Sequence, residues 1–217
     1  MNIDSLLKDL GFKKCEMEYG VYMQHTSDGN VIQVCLYVGD ILLTWSCTFE
    51  INKFKKVLMN EFDMTDLGSM VYFLWMEILH SEKGIIMHQL KYELELLKKF
   101  ELLNCKSEVT PAKTNHNLDS DFYGEDVDDI PFKQLVGCLR YLCNNRPDIC
   151  YTVGMVSRFM IKPKWSYYQA TIRILNYVKG TLRHGILFPS GVSGDAEMIC
   201  YSDYDWCGDM VDIRSTT

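Results

Sequence analysis

The sequence predicts an α+β fold, an antiparallel sheet with helices. Three observations support this. Short apolar runs separated by turn residues occupy the first half, at residues 19–25, 31–38, 41–43, 71–75 and 85–87. Helical spacing dominates after residue 88. Hydrophobic residues make up 47% of the 217 residues and aromatic residues 12%, enough to bury a core and inconsistent with a disordered chain.

The first segment reads as a small β meander. Residues 19–25 form one strand, and the turn cluster Ser27-Asp28-Gly29-Asn30 leads to a second at residues 31–38. That run is mostly apolar, as expected of a strand buried on both faces. Gly39-Asp40 interrupts it and Ile41-Leu42-Leu43 resumes it, the pattern of a tight hairpin. Ile51, Phe54, Leu58 and Phe62 then share one face of a helix. Residues 71–75 and 85–87 read as strands, joined through Ser81-Glu82-Lys83-Gly84.

A helix is expected over residues 89–103, with Leu90, Leu94, Leu97 and Glu101 in one row. Residues 104–130 are polar and acidic, a surface linker. Asp119 and Asp121 lie within it; Tyr123 and Ile130 break the calcium-loop pattern, leaving a solvated acidic stretch. Three further helices follow. Pro131 and Pro147 suit first turns, Ser166-Tyr167-Tyr168-Gln169 has capping-box spacing, and Gly180 is a stop. Strand character returns at residues 185–188 and 197–201.

Composition narrows the function. Lys and Arg number 22 against 29 Asp and Glu, a net charge of −7, which argues against an autonomous nucleic-acid binder. No apolar run reaches the roughly 18 residues of a membrane span, and the N-terminus has no secretory pattern. The nine cysteines include no C-x-x-C pair. They read as buried, reduced thiols, which places the chain in the cytoplasm or nucleus. The five histidines lack paired helical spacing, and no glycine-rich phosphate loop is present.

Two acidic positions stand out. Asp40 closes Tyr37-Val38-Gly39-Asp40, and Asp203 and Asp205 follow the run Cys200-Tyr201-Ser202. Alone, each is an ordinary turn. Their surroundings change the reading. The blocks Val34-Cys35-Leu36-Tyr37-Val38-Gly39-Asp40-Ile41-Leu42, Asp66-Leu67-Gly68 with Tyr72-Phe73-Leu74, and Gln134-Leu135-Val136-Gly137 come first. Arg146-Pro147-Asp148-Ile149, Ser157-Arg158-Phe159-Met160, Arg173 through Thr181, and Tyr201-Ser202-Asp203-Tyr204-Asp205-Trp206 follow. In this order they resemble the reverse transcriptase and ribonuclease H region of copia-type retrotransposon Pol polyproteins, over nearly the whole chain.

The resemblance implies a partial palm at residues 1–87, a thumb-like helix at 88–103, the acidic linker at 104–130, a helical connection at 131–181 and the opening of a ribonuclease H-like domain at 182–217. It implies RNA-directed DNA polymerase chemistry with two Mg²⁺ ions on clustered carboxylates, acting on an RNA or DNA template-primer. Asp40 and Asp203 match catalytic, metal-binding aspartates of that family.

The chain also departs from the family. Gly39 stands where the first of two adjacent catalytic aspartates belongs, and glycine offers no ligand. Trp45 and Trp75 stand where the family usually has glycine, Trp75 in the strand resembling the primer grip, where an indole would obstruct the primer. The third polymerase carboxylate is expected upstream of Met1, and the ribonuclease H partners of Asp203 beyond Thr217. The expectation is therefore a truncated, catalytically inactive remnant. Unpaired strand edges would favour self-association. The alternative is a non-catalytic binding or scaffold protein derived from a retrotransposon.

Overall fold

The structure, a computed structural model, describes residues 2–26, 29–45, 48–113 and 124–190. It divides into two compact units, residues 1–69 and 70–217.

The first unit opens with a helix that the meander reading did not anticipate, α1 (Ile3–Asp9). Asn2 caps it by accepting from the Asp4 amide, and Leu6 and Leu7 are buried. Strands β1 (Lys13–Lys14), β2 (Val21–His25), β3 (Val31–Tyr37) and β4 (Asp40–Trp45) then form an antiparallel sheet in chain order, a meander as expected. β3 is not buried on both faces. Ile32 and Val34 are buried while Val31 and Gln33 are exposed, so one face meets the core and the other meets water. Helix α2 (Thr48–Glu61) turns Phe54 and Leu58 inwards. There Phe54 meets Phe12, ring centroids 5.3 Å apart, in a core that also holds Leu7 and Tyr22. Burying each such side chain contributes about 1.5–3 kcal/mol.

The second unit has its own sheet, ordered β5 (Tyr72–Phe73), β6 (Met76–Ser81), β7 (Gly84–His88) and β8 (Gly185–Pro189), all antiparallel. One expectation changes here. Residues 71–75 are not one strand, because the chain reverses at Leu74-Trp75 between the paired residues Phe73 and Met76. Residues 185–188, which the sequence reading groups with the opening of a ribonuclease H-like domain, pair with β7 in the register Ile85 with Phe188 and Met87 with Ile186. Glycine makes that pairing possible. A Cβ on Gly84 would lie 2.0 Å from the Phe188 carbonyl oxygen, and one on Gly185 2.3 Å from that of Met87.

Helices α3 (Leu90–Lys99), α4 (Asp129–Leu142), α5 (Pro147–Ser157) and α6 (Trp165–Gly180) enclose the larger core. Pro147 sits in the first turn of α5, and Asp128 caps α4 through the Ile130 amide. The capping box at Ser166 does not form: Lys164 is the N-cap and Ser166 already lies inside the helix. The buried row of α3 is Glu93, Leu96 and Leu97, not the row through Leu94, which is 40% exposed. The described cysteines are free, with Cys105 and Cys150 exposed and the other four half-buried, less buried than expected. No described helix is long and apolar enough to cross a membrane.

Candidate functional site

The candidate site is the tip of the β3–β4 hairpin. Its turn lies one residue earlier than the sequence suggests. Tyr37 pairs with Asp40, so Val38 and Gly39 form the loop and Asp40 begins β4. Val38 carries a φ of 55° and Gly39 does not enter the left-handed region. That is the sign pattern of a type II′ turn, whose first loop position ordinarily belongs to glycine. Here the glycine is one place too late, and a fully exposed β-branched residue takes the strained conformation. The site of Gly39 is open, since an added Cβ would meet nothing within 4 Å.

Asp40 is exposed and brings one carboxylate to the tip. Among the described residues, no group of three or more histidine, cysteine, aspartate or glutamate side chains is placed to hold a metal ion. A two-metal centre needs several clustered carboxylate oxygens. The described donor set therefore does not fit the family's Mg²⁺ pair. Asp203 and Asp205 lie outside the described residues, as do Asp119 and Asp121.

The two tryptophans are accommodated differently. Trp45 ends β4 opposite Ile32 and packs half-buried against the first core. Leu74 and Trp75 have φ values of 48° and 64°, the double positive of a type I′ turn. A glycine at position 75 would meet that backbone requirement without strain. The indole instead leans on Tyr92, centroids 6.0 Å apart, and the Tyr141 hydroxyl donates to the Leu74 carbonyl.

One cluster escaped the sequence reading. The Arg146 guanidinium donates through Nη1 to Glu93 Oε1 at 2.6 Å and through Nε and Nη2 to Asp148 at 3.0 and 2.8 Å. Nη2 also donates to Thr181 Oγ1 at 2.6 Å, and the Tyr177 hydroxyl donates to Asp148 Oδ2 at 2.9 Å. Burial pushes the Glu93 carboxyl up, a shift Arg146 only partly offsets. Burial acts in the same direction on Asp148, but the Arg146 guanidinium and the Tyr177 hydroxyl outweigh it and hold that carboxyl below its ordinary value. The network joins α3, the start of α5 and the end of α6. Arg146-Pro147-Asp148 and the run ending at Thr181 were both in view as sequence blocks. Glu93, from a third segment, gave no signal of its own.

Residues 1–114 match the family model described as reverse transcriptase (RNA-dependent DNA polymerase). The chain belongs to the reverse transcriptase family. An uncharacterised mitochondrial protein of Arabidopsis thaliana is 36% identical over 184 residues, 84% of this chain and 75% of that protein. The retrovirus-related Pol polyprotein from transposon RE2 of the same plant is 32% identical over 187 residues, 86% of this chain and 13% of the polyprotein. The Pol polyprotein from the TNT transposon of Nicotiana tabacum is 31% identical over 226 aligned residues, covering 100% of this chain and 17% of the polyprotein. No solved structure matches. The chain is thus a copia-type reverse transcriptase segment, spanning three quarters of the mitochondrial relative and under a fifth of these two polyproteins.

Proposed function

We propose that this chain is a catalytically inactive derivative of a copia-type reverse transcriptase. One observation carries the proposal: the hairpin tip offers Asp40 alone, with Gly39 at the neighbouring position. The ancestral reaction is template-directed nucleotidyl transfer, for which Mg²⁺, when bound, activates the primer hydroxyl and stabilises the leaving phosphate. A lone exposed carboxylate holds no pair of divalent ions at working separation. In this reading residues 1–87 derive from the palm, 88–103 from the thumb, 104–130 form the acidic linker, 131–181 derive from the connection and 182–217 lead into ribonuclease H. Asp203 is the remnant of the nuclease site. Template-primer binding is weak at best at a net charge of −7. Among the described strands, β1 and β4 in the first sheet and β5 and β8 in the second are outermost and are the edges for self-association.

A second reading, a non-catalytic binding or scaffold protein, draws support from the helical part, whose core and buried Arg146 network owe nothing to the hairpin.

The test is primer extension by the full chain with Mg²⁺ or Mn²⁺. No extension above a no-enzyme blank is expected. Extension that disappears in Asp40→Asn would overturn the proposal.

A further inference from the structure

Helix α6 carries two stripes of opposite character. Tyr167, Ile174, Leu175 and Val178 face the core and are buried. Ser166, Gln169, Arg173 and Asn176, at i, i+3, i+7 and i+10, line a cavity of about 790 Å³ shared with Tyr151 and Met155 of α5. That volume lies within the roughly 300–1,000 Å³ of small-molecule sites.

The polar stripe is incompletely satisfied. Ser166 Oγ, Arg173 Nε and Asn176 Oδ1 are buried and have no hydrogen-bond partner among the described residues. Three such orphans in one short stripe call for an explanation, because buried polar atoms are nearly always paired. The remaining Arg173 nitrogens are engaged, Nη1 2.9 Å from Glu108 Oε2 and Nη2 donating to Thr110 Oγ1 at 3.0 Å. The guanidinium charge is therefore already met, which disfavours a phosphate or carboxylate ligand. At the rim Trp165, 48% exposed, stacks on Tyr168 with centroids 5.5 Å apart and planes at 22°.

We propose that this cavity binds a neutral, planar heteroaromatic ring that presents a hydrogen-bond donor beside an acceptor, the kind of edge a nucleobase carries. The Asn176 amide supplies a donor and an acceptor and Ser166 Oγ either, while Trp165 and Tyr168 supply a stacking face. The three orphan atoms are out of the reach of water, and the Arg173 guanidinium is held in place by Glu108 and Thr110. Binding therefore turns the Asn176 amide and the Ser166 hydroxyl towards the ring. The inference does not depend on the hairpin or on the loss of polymerase chemistry.

The experiment is calorimetric titration of the full chain with free nucleosides, with single-stranded homopolymer oligonucleotides, and with indole, which has a donor but no acceptor. Nucleosides should bind saturably and indole should not. Asn176→Leu should weaken binding about tenfold or more while leaving the melting temperature unchanged or higher, since it removes an orphaned acceptor. Ser166→Ala and Trp165→Ala, which spare the core stripe, should also weaken binding. Binding of oligonucleotides alone, with the same sensitivity to Asn176→Leu, would make an unpaired base in a strand the ligand. The proposal is overturned if neither nucleoside nor oligonucleotide binds, if indole binds as well as they do, or if the variants bind as the parent does.

Discussion

Arg146 and Glu93 form an ion pair with no access to water, Nη1 to Oε1 at 2.6 Å, with side chains 1% and 0% exposed. Removing Arg146 strands the Glu93 carboxylate, and removing Glu93 leaves the buried guanidinium with Asp148 as its one remaining counter-charge in the network described above. Arg146→Met and Glu93→Leu should each destabilise the chain by about 3–5 kcal/mol. The double variant should cost well under their sum, with a coupling of about 1–3 kcal/mol. Urea denaturation of the four proteins measures this. Additive losses would show that the pair is not the unit described.

Asp4 lies under opposite control. Hydrogen bonds from Lys8 and the Tyr22 hydroxyl, aided by the Lys8 and Lys14 charges, hold its carboxyl down to about 2. The unfolded chain releases its proton near the ordinary aspartate value of about 3.9. The resulting stability is present above that value and is lost as pH falls through the window towards 2. Acid titration of the melting temperature should show a shallower fall over that window in Asp4→Asn than in the parent.

Val38 spends a left-handed backbone on a side chain that packs against nothing. Val38→Asn should stabilise the first unit by about 1 kcal/mol, because asparagine tolerates that region and the exposed valine has little packing to lose. An unchanged or lower midpoint in urea would count against the turn assignment.

Gly84 tests the pairing of β7 with β8. Gly84→Ala combines a φ of 135° with a Cβ 2.0 Å from a carbonyl oxygen, so it should cost more than about 1 kcal/mol. Hydrogen exchange at the amides of residues 185–188 should accelerate with it. Protection equal to the parent's would separate β8 from the sheet.

Gly39→Asp should fold as the parent does, within about 0.5 kcal/mol, because the position is exposed, unstrained and unobstructed. It places a second carboxylate beside Asp40, and the described residues still bring no group of three ligands together. Primer extension by Gly39→Asp, alone or with Trp75→Gly, should stay at the blank. Extension by either variant would show that the remaining ligand is at hand.

Legibility followed the range of the signals. The meander, α2, α4 and α5 are readable because apolar runs bounded by turn residues, helical spacing and the prolines at 131 and 147 act locally. The turns are not. Val38, Leu74 and Trp75 occupy positive φ without any of the residues that announce it, so the sequence puts the hairpin turn one residue late and reads residues 71–75 as one strand. The buried row of α3 was misread for another reason. Glu93 points inwards to meet an arginine 53 positions away, and periodicity counts a glutamate as outward. At the candidate site, Gly39 and Asp40 were legible from the family pattern, whereas the open space at Gly39 needed coordinates.

That open space has an evolutionary meaning. The hairpin tip gives position 39 no packing duty and asks no special dihedral of it, so an aspartate and a glycine are interchangeable there as far as folding is concerned. Selection for a folded chain cannot distinguish them. Only selection for catalysis can, and once it relaxes nothing in the architecture resists the loss. Gly84 and Gly185 are the reverse case, wedged against carbonyl oxygens where any side chain is penalised at once. On the reading proposed above, a lineage can therefore shed its chemistry at residue 39 while its strand pairings at residues 84 and 185 stay under purifying pressure.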